Sequence, residues 1–177
     1  EDIRTAVKGE SVEFIHNPDF RTTNVLYSWF LGSATLSGDH IFLHGDTIFE
    51  PALLSKALTG DQPVVLTVDR HACGAEEMKV EVSGTQVKRV SKELDVAHVI
   101  GEFTGVMLVR ARVLKRLRHL AKALLSHGNG QGLFVEAAIQ SLIEESPSSV
   151  GWIDITGLRW REIDFVEDLE AAREIFS

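Results

Sequence analysis

The chain has 177 residues, of which 44% are hydrophobic and 25% charged, and its formal net charge is −8. That apolar content suffices for a sizeable core and argues against disorder, and the acidic balance disfavours nucleic acid as a partner. No apolar run approaches the roughly 18 residues of a membrane span, and the first residues lack the pattern of a secretory leader. Cys73 is the single cysteine, so no internal disulfide can form, and a cytoplasmic protein without membrane or nucleic-acid contacts is expected.

In chain order, residues 1–8 read as the end of a helix stopped by Gly9. Ser11 to Ile15 alternates like a short strand. Residues 24–36 carry apolar groups at helical spacing behind Asn24, a favoured cap. His40 to Leu43 is a compact apolar strand ending in Gly45-Asp46, and a short helix is predicted from Pro51 to about Leu58. Pro63 to Val68 reads as a buried strand ending at Asp69. Met78 to Val82 and Gln86 to Val90 alternate on either side of Ser83-Gly84-Thr85, which predicts a hairpin. Phe103 to Val109 is a further strand. Residues 111–126 and 133–145 are helical, joined by a glycine-rich segment, 128–132, that reads as a flexible connector. Trp152 to Ile155 alternates as a strand, and residues 165–176 form a closing helix. Strands alternating with helices predict one domain over 1–177, a three-layer α/β/α Rossmann-like mixed sheet with a β-hairpin insertion.

Several features can carry chemistry. Asp46 follows Gly45 at the carboxyl end of a strand, where open α/β sheets bind ligands, although an ordinary turn aspartate reads the same way. Asp164, three residues before Glu167, resembles the capping box of the last helix, and its second oxygen remains free to meet a metal. Two carboxylates at strand ends suit Mg²⁺, which takes its remaining ligands from water and phosphate. Lys79 opens a strand, either solvated or within reach of a phosphate. Asn17, Asn24, Tyr27, Ser28 and Trp29 line a pocket or form a turn and a half-buried helix. Tyr27, Trp29, Trp152 and Trp160 either enclose a quaternary ammonium group or pack in the core. Gly128 to Gly132 follows a helix, the wrong context for a dinucleotide fingerprint. The basic run from Arg110 to Lys122 alternates with Val113, Leu117, Leu120 and Leu124, as a docked helix with a solvated face does. Cys73, near His71, lacks a second cysteine for a zinc site.

Taken together, NPDFRTTNVLYS, FLHGDTIFEPALL, TVDRHACGAEEMKV, VSKEL, GEFTGVMLV and WREIDFVEDLEAA, in that order, resemble the sugar-phosphate nucleotidyltransferases. The resemblance is to the small cytidylyltransferase-like members that activate choline phosphate, inositol phosphate or related phosphonates. It implies that Asp46 and Asp164 hold Mg²⁺, that Lys79 lies near the reacting phosphates, and that Asn17, Asn24, Ser28 and Glu102 bind substrate. It further implies transfer of a nucleotide, CMP favoured, from a nucleoside triphosphate (CTP favoured) to a small phosphorylated or phosphonate acceptor, with release of pyrophosphate. A homodimer is one option. The family opens with a strand and a glycine-rich phosphate loop that nothing here matches. The expectation is therefore a domain lacking its first βα unit, with Val25 where relatives often carry a second asparagine. The alternatives are a truncated or degenerate non-catalytic module of the same fold and a metal-free regulatory domain.

Overall fold

The computed structural model describes Thr5, Val7, Gly9 and residues 11–177. Helix α1 (Val25–Gly32) leads into β1 (His40–Leu43), β2 (Thr47–Phe49), α2 (Ala52–Ala57) and β3 (Val64–Asp69). The hairpin β4 (Lys79–Ser83) and β5 (Gln86–Ser91) precedes the long β6 (Gly101–Val109). Then come α3 (Ala111–Leu125), α4 (Glu136–Glu145), β7 (Val150–Asp154), β8 (Trp160–Glu162) and α5 (Val166–Phe176).

Six strands form one mixed sheet in the order β1-β6-β3-β7-β5-β4, and the start of β6 also pairs with β4. β3 runs parallel to β7 and antiparallel to β6. Both neighbours and both faces of β3 are covered, which is why VVLTV reads as an unbroken apolar run instead of an alternating one. On one face the main core packs α1, α3 and α4 through Leu26, Leu117, Ile139 and Leu142. A smaller cluster on the other face joins Leu53 of α2 to Val106 and Ile155. Truncating a fully buried leucine such as Leu117 to alanine costs about 2–5 kcal/mol in such a core. The mixed sheet and helical layers agree with the expected fold class.

Three local readings differ. The helix predicted over 1–8 lies outside the described residues except for Thr5 and Val7. Ser11 to Ile15 is not a strand: its alternation is real, but no described strand offers it a ladder, and all five residues are exposed. The segment 128–132 is a structured turn. Asn24 N–H donates to the Gln131 carbonyl (2.7 Å) and Leu26 N–H to that of Leu133 (3.3 Å). A Cβ at Gly130 would lie 2.1 Å from the Leu124 carbonyl oxygen, so the glycine there serves close packing more than flexibility.

Candidate active site

β2 and β8, too short to register as strands by pattern, form a separate two-stranded antiparallel sheet. Thr47 pairs with Glu162, and the Ile163 N–H donates to the Asp46 carbonyl (2.9 Å). This pairing lays the segment after β1 against the segment before α5. As a result Asp46 and Asp164, far apart in the chain, line a single cavity of about 850 Å³.

Asp164 is not the helix cap that its spacing predicted. The capping carboxylate is Asp168, whose Oδ2 accepts from the backbone N–H of Phe165 (3.0 Å) and of Asp164 (3.3 Å), while its Oδ1 takes Arg161 (2.7 Å). Those bonds hold the Asp168 carboxyl below the usual carboxylate range, the Arg161 contact first. The box is offset by one residue, and Asp164 is thereby released toward the cavity. Glu162 lies beside it. Burial pushes its carboxyl up, reinforced by the charges of Asp164 and Asp46.

His44 also lines this cavity. One ring nitrogen of His44 and one carboxylate oxygen each of Asp46 and Glu162 lie within 4.8 Å of one another. The ring is fitted into its niche by edge contacts with Phe42 and Phe103 and by Gly105, whose Cβ would stand 2.8 Å from the imidazole. Gly105 has φ +75°, in a bulged part of β6 where the register against β3 shifts. Thr67, fully buried, fills that bulge by hydrogen-bonding Thr104 Oγ1 (2.6 Å) and the Val106 carbonyl (2.7 Å).

A second acidic group gathers where β3, β6 and β4 meet. Asp69 is paired with Glu102, and Glu102 with Lys79. Glu102 is 9% exposed, and its carboxyl is pushed up to about 8, by burial first and then by Glu77, Glu162 and Asp69. His71 stands among these acids, 3.5 Å from Glu102 and 3.7 Å from both Asp69 and Glu77. Cys73 joins His71 and Glu77 within 4.8 Å, a grouping that one-dimensional spacing does not reveal. Burial and the nearby Glu77 and Glu102 charges push its thiol up, away from the thiolate that binds metals.

Lys79, which the resemblance puts near the reacting phosphates, does not line this cavity. It is 2% exposed and outside the cavity wall, and its ammonium donates to the carbonyls of Lys92 (2.6 Å), Ala75 (2.9 Å) and Glu77 (3.3 Å). All three donors are therefore engaged by backbone, and the cations that line the cavity among the described residues are Lys92 and Arg161. Asn24 lines the cavity and caps α1 by accepting from the Val25 N–H (2.7 Å). Asn17 and Ser28 bond one another (3.0 Å) outside the lining. The aromatic residues do not form one cage. Trp29 is in the core, Trp152 donates to the Gly84 carbonyl (3.0 Å), and only Trp160 faces the cavity, donating to Asp69 (3.0 Å). Phe103, Phe134 and Phe165 supply the cavity's other aromatic surface.

The chain has the fold of solved nucleotidyltransferases that act on small phosphorylated compounds. No family model matches it. Over 98% of its length it superposes on the inositol-1-phosphate CTP transferase from T. maritima, with TM-score 0.79 and 20% identity, covering 70% of that chain. CTP:phosphocholine cytidylyltransferase from Streptococcus pneumoniae gives TM-score 0.73 and 16% identity, over 99% of this chain and 73% of the other. Among curated proteins it is similar to CMP-5'-(3-aminopropyl)phosphonate synthase from Streptomyces rubellomurinus, 26% identical over 182 residues. That match covers 96% of this chain but 28% of the relative, so the chain spans under a third of that protein's length. Both of these structural neighbours are nucleotidyltransferases by name. No described helix is long and apolar enough to cross a membrane.

Proposed function

We propose that this chain carries the acidic half of a nucleotidyltransferase site that moves CMP from CTP to a small phosphorylated or phosphonate acceptor. An acceptor oxygen attacks the α-phosphorus, a new P–O bond forms, and the bond to the β-phosphate oxygen breaks, releasing pyrophosphate. Such transfers need positioning and charge neutralisation more than a covalent intermediate. The observation that carries the reading is the β2–β8 pairing, which turns Asp46 and Asp164 onto one cavity wall.

The donor set fits a divalent cation. Carboxylates far outnumber cations around the cavity, and the buried oxygens of Glu136 have no hydrogen-bond partner among the described residues. Asp46 and Asp164 would hold Mg²⁺, which when bound polarises phosphoryl oxygens and neutralises their charge. Lys92 and Arg161 are placed to meet triphosphate oxygens. Asn24 lies at the cavity wall, its amide nitrogen donating to the Gly132 carbonyl (3.4 Å). The Glu102 end, where a protonated carboxyl stands among ionised ones, suits an acceptor bearing a positive group such as an amine. The name of the curated relative agrees with that choice.

The test is pyrophosphate release from the longest natural form of the protein. Each nucleoside triphosphate is paired with choline phosphate, inositol 1-phosphate and an aminoalkyl phosphonate. CTP with one of these acceptors is expected to turn over, and activity within a few-fold of the parent in Asp46→Ala would sink the assignment. The engaged ammonium of Lys79 favours a second reading, a non-catalytic module that binds nucleotide without turnover. Saturable CTP binding with no pyrophosphate from any pair would select it.

A further inference from the structure

Arg161, on β8, is held by one corner. Its Nη2 donates to Asp168 Oδ1 (2.7 Å), while the other guanidinium nitrogens make no hydrogen bond among the described residues, although Nε is buried. A carboxylate that meets a guanidinium squarely offers it both oxygens. Asp168 does not, because its Oδ2 accepts from the backbone N–H of Phe165 (3.0 Å) and of Asp164 (3.3 Å). One carboxylate thus ties the guanidinium to the turn that carries Asp164. The uncommitted donors belong to a residue that lines the cavity.

A buried donor without an acceptor costs free energy, and in a cavity wall it marks a place where a ligand supplies the acceptor. That ligand must carry negative charge and accept from two arms of a planar fork, as a phosphoryl group does. Within the protein, Asp168 is the ion-pair partner that Arg161 has among the described residues, and both side chains are partly exposed. Capping α5 accounts for Oδ2 of Asp168 but not for Oδ1, because a solvated ion pair adds little stability.

We propose that Arg161 takes a phosphoryl oxyanion in its open fork, and that Asp168 is the positioning residue that holds the fork toward the cavity. This rests on the reading of the cavity as a nucleotidyl-transfer site and adds how one of its cations is oriented. Arg161 touches substrate in this scheme, and Asp168 acts through Arg161. Both the nucleotide and the acceptor carry a phosphoryl group, and the test separates these two sources.

The experiment is calorimetric binding to the full protein at constant Mg²⁺, with CTP, inorganic pyrophosphate and methylphosphonate as probes. Arg161→Lys keeps the charge and loses the fork. Asp168→Asn keeps the shape and an oxygen for the backbone N–H groups, but loses the carboxylate that faces Arg161. Arg161→Lys is expected to weaken at least one probe by about tenfold. Asp168→Asn should weaken the same probe several-fold with little change in melting temperature, and the double variant should bind no more weakly than Arg161→Lys alone. Weaker CTP, with or without weaker pyrophosphate, assigns the fork to the nucleotide; weakening confined to methylphosphonate assigns it to the acceptor. A purely structural Asp168 would lower the melting temperature and add its effect to that of Arg161→Lys. That result, unchanged affinity for every probe in either single variant, or wild-type protein that binds none of the three overturns the inference. Turnover with unchanged affinities leaves the enzymatic reading standing and removes this one. The expected binding pattern without pyrophosphate release from any nucleotide and acceptor pair does the reverse.

Discussion

The two acidic ends of the cavity are built differently. At the Asp46 end the carboxylates sit on segments that leave strands, and Asp46 and Asp164 are exposed. Their charges stay in contact with solvent, open to the cation proposed above. At the Glu102 end the acids are locked side by side by sheet register, with Asp69 directly opposite Glu102 on the neighbouring strand. Burial comes first, and the charges of Glu77, Glu162 and the cross-strand Asp69 add to it, so Glu102 is pushed up to about 8. Number of carboxylates alone therefore does not define function: solvent exposure suits one group to the cation proposed above, and burial with neighbouring charge makes the other a neutral acid near pH 7.

The contrast is broken most severely at the exposed end. Asp46→Ala is expected to lower turnover by about 10³-fold, roughly 4 kcal/mol of transition-state stabilisation, while the melting temperature changes little because Asp46 is solvated. Pyrophosphate release and calorimetry on the same preparations check both halves.

The buried end predicts the opposite behaviour. Below pH 4.5 Glu102 is protonated in both folded and unfolded chains, and it costs nothing. Between 4.5 and about 8 the unfolded chain releases its proton and the folded chain does not, so stability falls as pH rises through that window and levels off above it. Glu102→Gln removes the penalty. Its stability should match wild type near pH 4.5 and exceed it increasingly up to pH 8, by up to about 2–3 kcal/mol. The groups facing Glu102 are Asp69, Glu77, Glu162 and His71, with Lys92 the stabilising cation. Thermal unfolding between pH 4.5 and 8.5 measures the effect, and a difference independent of pH would contradict it.

Gly105 links the two ends, since the β6 bulge that separates Glu102 from the β1-paired half of the strand also makes room for His44. Gly105→Ala places a side chain at φ +75° and 2.8 Å from the imidazole. A loss of about 1–2 kcal/mol is expected, seen as a drop of a few degrees in melting temperature. Turnover should fall further than the stability loss explains, because the ring beside Asp46 is displaced.

How far this site could be read from residues follows the same divide. The long strands and helices were legible because apolar period and caps agree: VVLTV, the stripe on α3 and the Asn24 cap all fall where pattern places them. β2 and β8 were not, because three residues of a half-exposed strand carry no period, yet they are what joins Asp46 to Asp164. The bonds of the Lys79 ammonium were hidden for a related reason. Pattern places Lys79 at the opening of a strand, but the carbonyls that claim its ammonium come from loops. Glu136 left a trace that pattern reading can use: it shares the buried stripe of α4 with Ile139 and Ile143, an acid where an apolar residue belongs.

Asn24 gives the smallest and most discriminating effect. Its side-chain oxygen caps α1 and its amide reaches the Gly132 carbonyl at a long 3.4 Å, while its position lines the cavity, so a loss of activity on mutation has a structural and a substrate explanation. Asn24→Ala should cost about 1 kcal/mol of stability through the lost cap. Asn24→Asp restores the cap, since a carboxylate accepts from the Val25 N–H as well as an amide does, but it removes the amide donor and adds a negative charge to an already acidic wall. If Asn24 serves only the helix, Asp restores both stability and the KM for nucleotide. If it also meets substrate, stability returns while KM stays raised several-fold. Calorimetry and steady-state kinetics on the two variants separate the cases, and recovery of both quantities in Asn24→Asp would remove Asn24 from the binding surface.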